Sequence, residues 1–409
     1  MKNFSGVCQA AGADKPLRAF FIWITNIVTL THMEIFRHIG YAKAERFRPP
    51  VLLPLSEGTN TARPSACPQR PFRLGFVMGE REHCALSEDC HYLNIWTPSK
   101  EGKHPVLVWI HGGAYVAGTG EEAAYDGAAL CEQGEIVVVT ISYRLGIFGY
   151  LYDAEKGIVN LGLQDQIMAL RWVKENIGRF GGDPDLITVA GQSAGGHSVA
   201  VILSSCKEPL FRKAIIQSAP LGMKTSRKDG SALLDKVKAI ASKPLEELTM
   251  DELLEVQGSI LSQSRSLMPF SPVEPDFSGK VAIPSLKKVL VTWQKDDASP
   301  FVAMKLGHQD RFGSVIDRVA TRVASEAVFG APSKKYAEAL RAAGIQTEAI
   351  CMDWRPEGSP FGACHCLELA LLFGSWERWK GVRMLGVTSR EEWEKQGRAL
   401  RSKWIAFIR

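Results

Sequence analysis

The feature that most constrains the fold is residues 185–200, where an apolar, β-branched run enters Gly191-Gln-Ser193-Ala-Gly195 and continues with small residues that can begin a helix. In a strand–turn–helix of the form G-x-S-x-G, the serine sits on a strained turn, and side chains at the two glycines would collide with the neighbouring strand and helix. The pattern therefore predicts a nucleophile elbow with Ser193 at its tip. Because serine and glycine are common, a flexible turn is the competing interpretation, and a second motif is needed to decide.

The second motif lies upstream, where the strand-like residues 105–110 run into a His-Gly-Gly loop that contains Gly112 and Gly113. Acyl transfer places negative charge on a carbonyl oxygen, and fixed backbone N–H groups stabilise that charge with little reorganisation. The amides of Gly112 and Gly113, with that of Ala194 after the nucleophile, are predicted to form this oxyanion hole. The two motifs in this order favour a serine hydrolase.

Strand and helix patterns alternate through the middle of the chain. Short apolar runs rich in β-branched residues predict buried strands at residues 106–110, 136–141, 186–190 and 214–217. Helical spacing recurs at Leu163, Ile167, Leu170, Val173 and Ile177. The alternation predicts an α/β fold with a mostly parallel central sheet and helices on both faces.

We predict one domain at residues 33–409, with cap-like helices at residues 231–343, because no repeat or low-complexity linker divides the chain. Residues 391–409 should form a helix that packs through an apolar face. The apolar run within residues 1–32 is too short to span a bilayer and lacks a small-residue cleavage site, so no membrane partner is predicted. We interpret residues 1–32 as a doubtful extension before a start at Met33. A cytoplasmic location follows, with secretion as the alternative.

Composition argues against several other classes of function. The net charge of +5 is small for 409 residues and basic residues are mixed with acidic ones, so no nucleic-acid partner is predicted. Nine cysteines leave at least one thiol unpaired within the chain, and no paired C-x-x-C spacing indicates zinc. Cys364 and Cys366 flank a histidine, but further ligands are not identified, so no metal site is predicted. The oligomeric state is left open.

Further motifs lie between residues 36 and 369. They are Phe36-Arg-His-Ile-Gly-Tyr-Ala, Ser87-Glu-Asp-Cys90-His-Tyr-Leu-Asn, Trp109-Ile-His-Gly-Gly113, Ser142-Tyr-Arg-Leu145, Asn160-Leu-Gly-Leu-Gln-Asp-Gln166, Phe180-Gly-Gly-Asp-Pro184 and Gly362-Ala-Cys-His365 followed by Glu368-Leu. With these motifs and the serine elbow, the chain resembles type B carboxylesterases, the cholinesterase-like branch of the α/β-hydrolases that includes bacterial p-nitrobenzyl esterases. The resemblance implies the α/β-hydrolase fold with a helical cap, a small-molecule ester as substrate and no cofactor.

The resemblance also implies roles for single residues. It makes Ser193 the nucleophile, His365 the general base, and Gly112, Gly113 and Ala194 the oxyanion-hole amides. The order of nucleophile, acid and histidine along the chain is that of this fold. His197 lies nearer to Ser193 in the sequence, but on the following helix it should point away from the hydroxyl.

The orienting acid departs from the family pattern. Relatives carry it in a Gly-x-x-x-Asp-Glu-Gly type segment, and Asp310 lies at the positional counterpart here. Asp310 is the predicted acid, with Asp317 and Glu326 as alternatives, because geometry rather than spacing decides such a role. The separation from Asp310 to His365 is shorter than in typical members, which implies a deletion in the capping helices. A further departure is Gln192, where relatives carry glutamate.

Other residues receive structural roles from the resemblance. Ion pairs that brace the fold are expected for Glu88 with Arg46 or Arg48 and for Arg144 with Asp165. Ser218 matches a serine that supports the triad acid. Cys67 and Cys90 occupy positions that form a disulfide in many relatives, but without an export signal two reduced thiols are predicted.

The predicted function is hydrolysis of small to medium uncharged carboxylic esters through an acyl-enzyme intermediate. Apolar groups near the elbow, with Tyr115 and Phe361 as contributors, are expected to select the substrate. One alternative is the same machinery acting on a carbamate or an amide. Another is a non-catalytic cholinesterase-like binding protein, since a fold alone does not define an activity.

Overall fold

The computed structural model of the chain describes residues 33–55, 65–80 and 84–409. They belong to one compact unit, Met33–Arg409. The expectations for residues 1–32 lie outside the described residues, so the start at Met33 and the domain boundary stay predictions. No helix in the described ranges is long and apolar enough to cross a membrane.

An eight-stranded sheet forms the centre of this unit. Its strands are β1 Glu34–Gly40, β2 Tyr92–Thr97, β3 His104–Ile110, β4 Val137–Ile141, β5 Gly182–Gln192, β6 Lys213–Gln217, β7 Lys288–Gln294 and β8 Gln346–Met352. They lie side by side in the order β1-β2-β4-β3-β5-β6-β7-β8. The pairs β1–β2 and β2–β4 are antiparallel, and the pairs from β4 across to β8 are parallel. The predicted α/β fold with a mostly parallel sheet is confirmed.

Four predicted strands correspond to β3, β4, β5 and β6, with small shifts at their ends. Strands β7 and β8 were not predicted. β7 lies inside the range 231–343 that was expected to be a cap, so that expectation was wrong for residues 288–294, which pair with β6 and β8 in the sheet. Short two-residue ladders join Ala42–Lys43 to Val51–Leu52 and Ser65–Ala66 to Ala85–Leu86.

Helices cover both faces of the sheet. Those of six or more residues are α1 Ala128–Gly134, α2 Leu161–Asn176, α3 Ala194–Ser205, α4 Arg227–Ile240, α5 Met250–Gln263, α6 Ser299–Leu306, α7 Val315–Ser325, α8 Ala331–Ala342, α9 Leu367–Leu372 and α10 Arg390–Ile408. Shorter helical turns are Gly75–Met78, Ala123–Tyr125, Gly146–Gly149, Ile177–Phe180, Leu245–Glu247, Glu326–Gly330, Trp376–Trp379 and Arg383–Leu385. The helix predicted from Leu163 to Ile177 is α2, and the predicted C-terminal helix is α10.

The alternation of side chains along the central strands creates two hydrophobic cores. In β3, Val106, Val108 and Ile110 face one core, whereas Leu107 and Trp109 face the other. Helices α2, α3, α4, α5 and α8 contribute to the first core, and α1, α6, α9 and α10 to the second. The predicted packing face of α10 is confirmed by Trp404, which is 1% exposed.

Two ion pairs brace the loops beside the sheet. Arg46 Nε lies 2.9 Å from Glu88 Oε2. Arg144 Nη2 lies 2.7 Å from Asp165 Oδ1, and both side chains are buried. Both predicted ion pairs are confirmed, and Arg46 rather than Arg48 is the partner of Glu88.

The carboxyl ends of the parallel strands position the functional loops. β3 leads to the Gly112 loop and β5 leads to Ser193. Backbone hydrogen bonds continue the ladder past the strand ends, because Ser193 N–H donates to Gln217 O at 2.8 Å and Ser218 N–H donates to Thr292 O at 2.7 Å. The edge at which these loops meet is where open α/β sheets bind ligands.

Candidate active site

The predicted elbow is present at the junction of β5 and α3. Ser193 has φ of 56° and ψ of −122°, a conformation that a residue with a side chain rarely adopts. Hydrogen bonds on both sides hold it there, because its N–H donates to Gln217 O and its carbonyl accepts the His197 N–H at 2.8 Å. The backbone thus presents the Ser193 side chain to the cavity described below.

Close packing around the elbow explains its glycines. A Cβ atom on Gly195 would lie 2.1 Å from Ile110 O on the neighbouring strand β3, and one on Gly191 would lie 2.4 Å from the backbone carbon of Gly195. Both distances are far below a normal contact, so the steric reason predicted for the G-x-S-x-G pattern is confirmed.

Three backbone amides next to Ser193 are available to a ligand. Gly112 and Gly113 line the same cavity as Ser193, and Ala194 is the first residue of α3. None of their N–H groups donates a hydrogen bond to another residue in the described part of the chain. For Ala194 this is expected, because the first amides of a helix have no partner within the helix. Gly113 has φ of 124°, and a Cβ there would lie 1.9 Å from Ala117 O, so this loop conformation requires glycine.

His365 is paired with a carboxylate that the sequence reasoning missed. Its Nδ1 lies 2.6 Å from Asp297 Oδ1, and both side chains are buried. The other Asp297 oxygen accepts the Gln294 N–H at 2.9 Å. An Nδ1–H that donates to a buried carboxylate leaves Nε2 free to accept a proton.

The loops that carry this pair are tied together by their neighbours. Asp296 N–H donates to Ala363 O at 2.9 Å, and Ala363 N–H donates to Asp296 Oδ2 at 3.0 Å. Arg355 Nε lies 2.9 Å from the same Asp296 oxygen. These contacts fix the end of β7 against the loop before His365.

The expected placement of the acid was wrong. Asp310 is exposed in the turn after α6, and no hydrogen bond or ion pair among the described residues joins it to His365. Asp317 instead accepts from the backbone at the start of α7 and contacts His308 Nδ1 at 2.7 Å. Glu326 pairs with Lys334 at 2.8 Å.

A sequence signal for Asp297 did exist. The run Lys-Val-Leu-Val-Thr-Trp-Gln at residues 288–294 is rich in β-branched and aromatic residues and ends just before two aspartates. Recognising it as a further parallel strand would have placed Asp297 at the same sheet edge as Ser193. The separation from Asp297 to His365 is 68 residues, and the deletion in the capping helices inferred from the spacing to Asp310 stays a prediction.

The second imidazole nitrogen faces Gln192. Gln192 Nε2 lies 3.1 Å from His365 Nε2 and 3.3 Å from the Cys366 thiol. With a proton on Nδ1 of His365, the Gln192 amide donates to Nε2. Burial lowers the pKa of His365, but Cys366 and the Asp297 carboxylate raise it, and the net shift is upward.

Glu368 is a second buried acid next to this pair. Burial raises its pKa to about 7, with a further contribution from the nearby charge of Asp297. Gln294 Nε2 donates to its Oε2 at 2.7 Å, while Oε1 has no partner in the described part of the chain. The carboxyl group therefore keeps its proton to a higher pH than an exposed glutamate does.

A cavity of about 460 Å³ lies beside Ser193 and His365. Its wall is mainly apolar and includes Met223, Met268, Phe301, Met304, Phe329 and Leu369. Tyr115 and Phe361, expected to contribute, do not line it. Tyr115 bonds His197 Nδ1 at 2.7 Å in the core, and Phe361 is buried against Phe76 and Phe312.

The remaining predicted residues lie near the site without joining it. His197 bonds Tyr115 and the Met223 carbonyl, as expected for a helix residue turned from the hydroxyl. Ser218 Oγ is buried and has no hydrogen-bond partner among the described residues, Asp297 included.

Cys67 and Cys90 are buried free thiols. The described residues contain no group of three or more His, Cys, Asp or Glu side chains suited to a metal ion.

Comparison with known proteins gives matches over most of the chain. A model of the carboxylesterase family matches residues 25–349. A probable N-octanoylanthranilate hydrolase of Rhodococcus erythropolis is 34% identical over 407 residues, which cover 91% of this chain and 88% of the relative. The para-nitrobenzyl esterase of Bacillus subtilis is 32% identical over 393 residues, which cover 85% of this chain and 79% of the relative.

A solved structure gives the same result. A thermophilic PNB esterase superposes with a TM-score of 0.78 at 27% identity, over 93% of this chain and 88% of that chain. The family match, the two relatives and the superposition agree with the elbow, the glycine loop and the buried histidine. The chain belongs to the carboxylesterase family, has the α/β-hydrolase fold and is a carboxylic ester hydrolase.

Proposed function

We propose that the chain hydrolyses small to medium carboxylic esters through an acyl-enzyme on Ser193, with His365 as general base and Asp297 as the orienting acid. The observation that carries the assignment is the 2.6 Å contact between His365 Nδ1 and Asp297 Oδ1 beside the cavity that Ser193 lines. The cavity volume of about 460 Å³ and its apolar wall support substrates of this size.

In the first step, Ser193 Oγ attacks the ester carbonyl and His365 Nε2 takes its proton. For this transfer Ser193 Oγ replaces the Gln192 amide as the partner of Nε2 when the ester binds. The Asp297 carboxylate stabilises the imidazolium that forms. The N–H groups of Gly112, Gly113 and Ala194 receive the oxyanion.

The imidazolium then gives its proton to the leaving alcohol, and the acyl group stays on Ser193. Water attacks this acyl-enzyme with His365 again as base, and the carboxylic acid leaves. No step requires a cofactor or a metal ion.

The test uses the purified full chain and p-nitrophenyl esters of acetate, butyrate and octanoate. Ser193→Ala should lower kcat on the order of a million-fold, because serine and histidine of a triad act as one unit. Ser205→Ala is the matched control, since that serine lies on the same helix α3 and, among the described residues, its hydroxyl bonds the Val201 carbonyl alone, at 2.7 Å. Turnover that survives Ser193→Ala would contradict the mechanism.

An amide bond is a second candidate target. The relative named as an N-octanoylanthranilate hydrolase acts, by that name, on an N-acylated aromatic amine. Parallel assays on the p-nitroanilide of octanoate measure the ratio of amide to ester kcat/KM. A carbamate of p-nitrophenol completes the set. Absence of Ser193-dependent turnover on all of them would favour the binding-protein alternative.

A cytoplasmic location stays a prediction.

A further inference from the structure

The cavity beside Ser193 combines an apolar wall with charged residues of one sign, which is positive. Its charged lining residues, among those described, are Arg70 and Arg73, with the imidazole of His365 as the other titratable group that can be cationic. No Asp, Glu or Lys of the described residues lines it. An uncharged ester would gain nothing from this arrangement, whereas an anion would.

The two arginines have unused hydrogen-bond donors. Arg73 Nη2 donates to the Leu267 carbonyl at 3.3 Å, and no carboxylate of the described residues pairs with Arg70 or Arg73. Elsewhere in the chain arginines pair closely, as with Arg355 and Asp296 at 2.9 Å. A guanidinium has five N–H donors in a planar fork that fits a carboxylate, so most of this capacity is free.

The arginines lie at the cavity mouth. Both residues are exposed, and they flank Pro71 and Phe72 in the segment before the short helix Gly75–Met78. Arg70 packs over α5, where a Cβ on Gly258 would lie 2.7 Å from its Nη1. Partial burial lowers the pKa of Arg73, and no neighbouring charge contributes to that shift. An arginine still stays cationic at neutral pH.

We propose that the preferred substrates are amphipathic esters that carry a carboxylate, with their apolar part in the cavity and the carboxylate on Arg70 and Arg73 at its mouth. This proposal deepens the proposed function and rests on it, since the scissile carbonyl must reach Ser193. The uncharged esters expected from the sequence are then the weaker substrates of the same site. The competing interpretation is that the arginines only hold their segment against α5 and Leu267.

The first experiment compares two substrates of equal length. One is the mono-p-nitrophenyl ester of suberic acid, with a free carboxylate at the far end of the acyl chain, and the other is its methyl ester. We expect kcat/KM about tenfold higher for the free acid, through a lower KM. The advantage should shrink as ionic strength rises, because the arginines are at the mouth and salt screens them.

A second pair places the carboxylate in the alcohol part. It consists of the octanoyl ester of meta-hydroxybenzoate and the same ester with a methylated carboxyl group. A carboxylate preference in either pair supports the proposal and tells which half of the substrate faces the mouth. Equal kcat/KM within both pairs, or a preference for the methyl esters, overturns it.

Variants separate recognition from a structural role. Arg70→Gln and Arg73→Gln should each lower kcat/KM on the preferred acid about tenfold and leave the methyl ester within about twofold. Arg322→Gln, at an exposed position on α7 outside the cavity, should leave both unchanged. Equal losses on acid and methyl ester would show that the arginines only support the structure, and the proposal would fail.

Binding to the Ser193→Ala variant keeps the test independent of turnover. Calorimetry with the suberate monoester and its methyl ester measures the affinity for each, and Ser193→Ala/Arg73→Gln should lose the preference. If no ester is turned over but the acid binds more tightly, the catalytic proposal fails, the substrate proposal that rests on it fails too, and only carboxylate binding by the arginines is supported. If esters are turned over and both bind equally, the recognition proposal alone fails.

Discussion

The two halves of the site are built in different ways. The nucleophile half contains Ser193 and the Gly112 loop, and its shape depends on close backbone packing. A Cβ atom on Gly195, for example, would lie only 2.1 Å from Ile110 O. The acid–base half is held by contacts between buried side chains. His365 Nδ1 lies 2.6 Å from Asp297 Oδ1, and Glu368 lies beside this pair. The nucleophile half should therefore be sensitive to added volume, and the acid–base half to lost charge and to pH.

Among the changes that test this contrast, the largest effect is expected from removing charge without changing shape. Asp297→Asn should lower kcat on the order of ten-thousand-fold, because an amide cannot hold the productive imidazole tautomer or stabilise the imidazolium. Steady-state kinetics on p-nitrophenyl butyrate measures this. Asp310→Asn is the matched control and should leave kcat unchanged. A large loss in Asp310→Asn with little loss in Asp297→Asn would reverse the assignment of the acid.

The converse change adds volume to the nucleophile half without changing charge. Gly195→Ala should lower the free energy of unfolding by about 3 kcal/mol, because the new methyl group would push β5 and α3 away from β3. Activity should fall as well. Gly178→Ala is the control, because no atom of the described residues, apart from the adjoining backbone, lies within 4 Å of a Cβ at that position. Urea unfolding followed by circular dichroism compares them. Equal stability of the two variants would remove the steric account.

A pH-dependent effect on stability should belong to the acid–base half. Because the pKa of Glu368 is raised to about 7, the folded state holds a proton that the unfolded state loses near the ordinary value of 4.5. The free energy of unfolding should therefore fall as pH rises from about 4.5 to about 7 and then level off, by up to about 3 kcal/mol.

Glu368→Gln removes this ionisable group and keeps an acceptor for Gln294. Its gain in stability over the unmodified chain should be smallest below pH 4.5 and largest above pH 7. Urea titrations at a series of pH values measure the difference. A gain that does not change with pH would contradict the raised pKa.

The smallest effect concerns the pH profile of activity. Since only neutral His365 accepts a proton, kcat/KM should fall on the acidic side of its pKa, and the upward shift moves this limb above the ordinary value of 6.5. Cys366→Ala should move the limb toward lower pH, because Cys366 helps to raise that pKa. A limb in the same place would show that the thiol has no such influence. Cys131→Ala, at a buried thiol outside the cavity, is the control.

The same contrast explains what the sequence could predict. The elbow is a local feature, since its strand, serine and glycines lie within residues 185–200 and their reason is steric. His365 could be found because the resemblance to carboxylesterases supplied a motif around it. The oxyanion loop was readable for the same reason as the elbow, because Gly113 must adopt φ of 124°.

The strand-like run at residues 288–294 could indicate which end of the sheet carries the acid, but not which side chain there pairs with His365. The role of the acid depends on where β7 ends relative to a loop 68 residues later, and the bond between Asp296 N–H and Ala363 O that sets this has no local signature. A spacing borrowed from relatives pointed to Asp310, which the turn after α6 leaves exposed. Strand β8 was missed because it is an edge strand whose exposed residues weaken its apolar pattern.

The hydrogen bonds that extend the sheet past its strand ends have a consequence for how the site comes apart. The Ser193 N–H donates to Gln217 O of β6, and the Ser218 N–H donates to Thr292 O of β7. We therefore expect both amide protons to exchange with solvent only when the central strands separate. The amides of Asp296 and Ala363 lie in loops next to the exposed side chain of Arg355, and we expect these loops to open while the sheet stays paired. On mild heating the histidine should therefore leave its carboxylate while Ser193 still holds its turn, and the enzyme should lose activity reversibly before it unfolds.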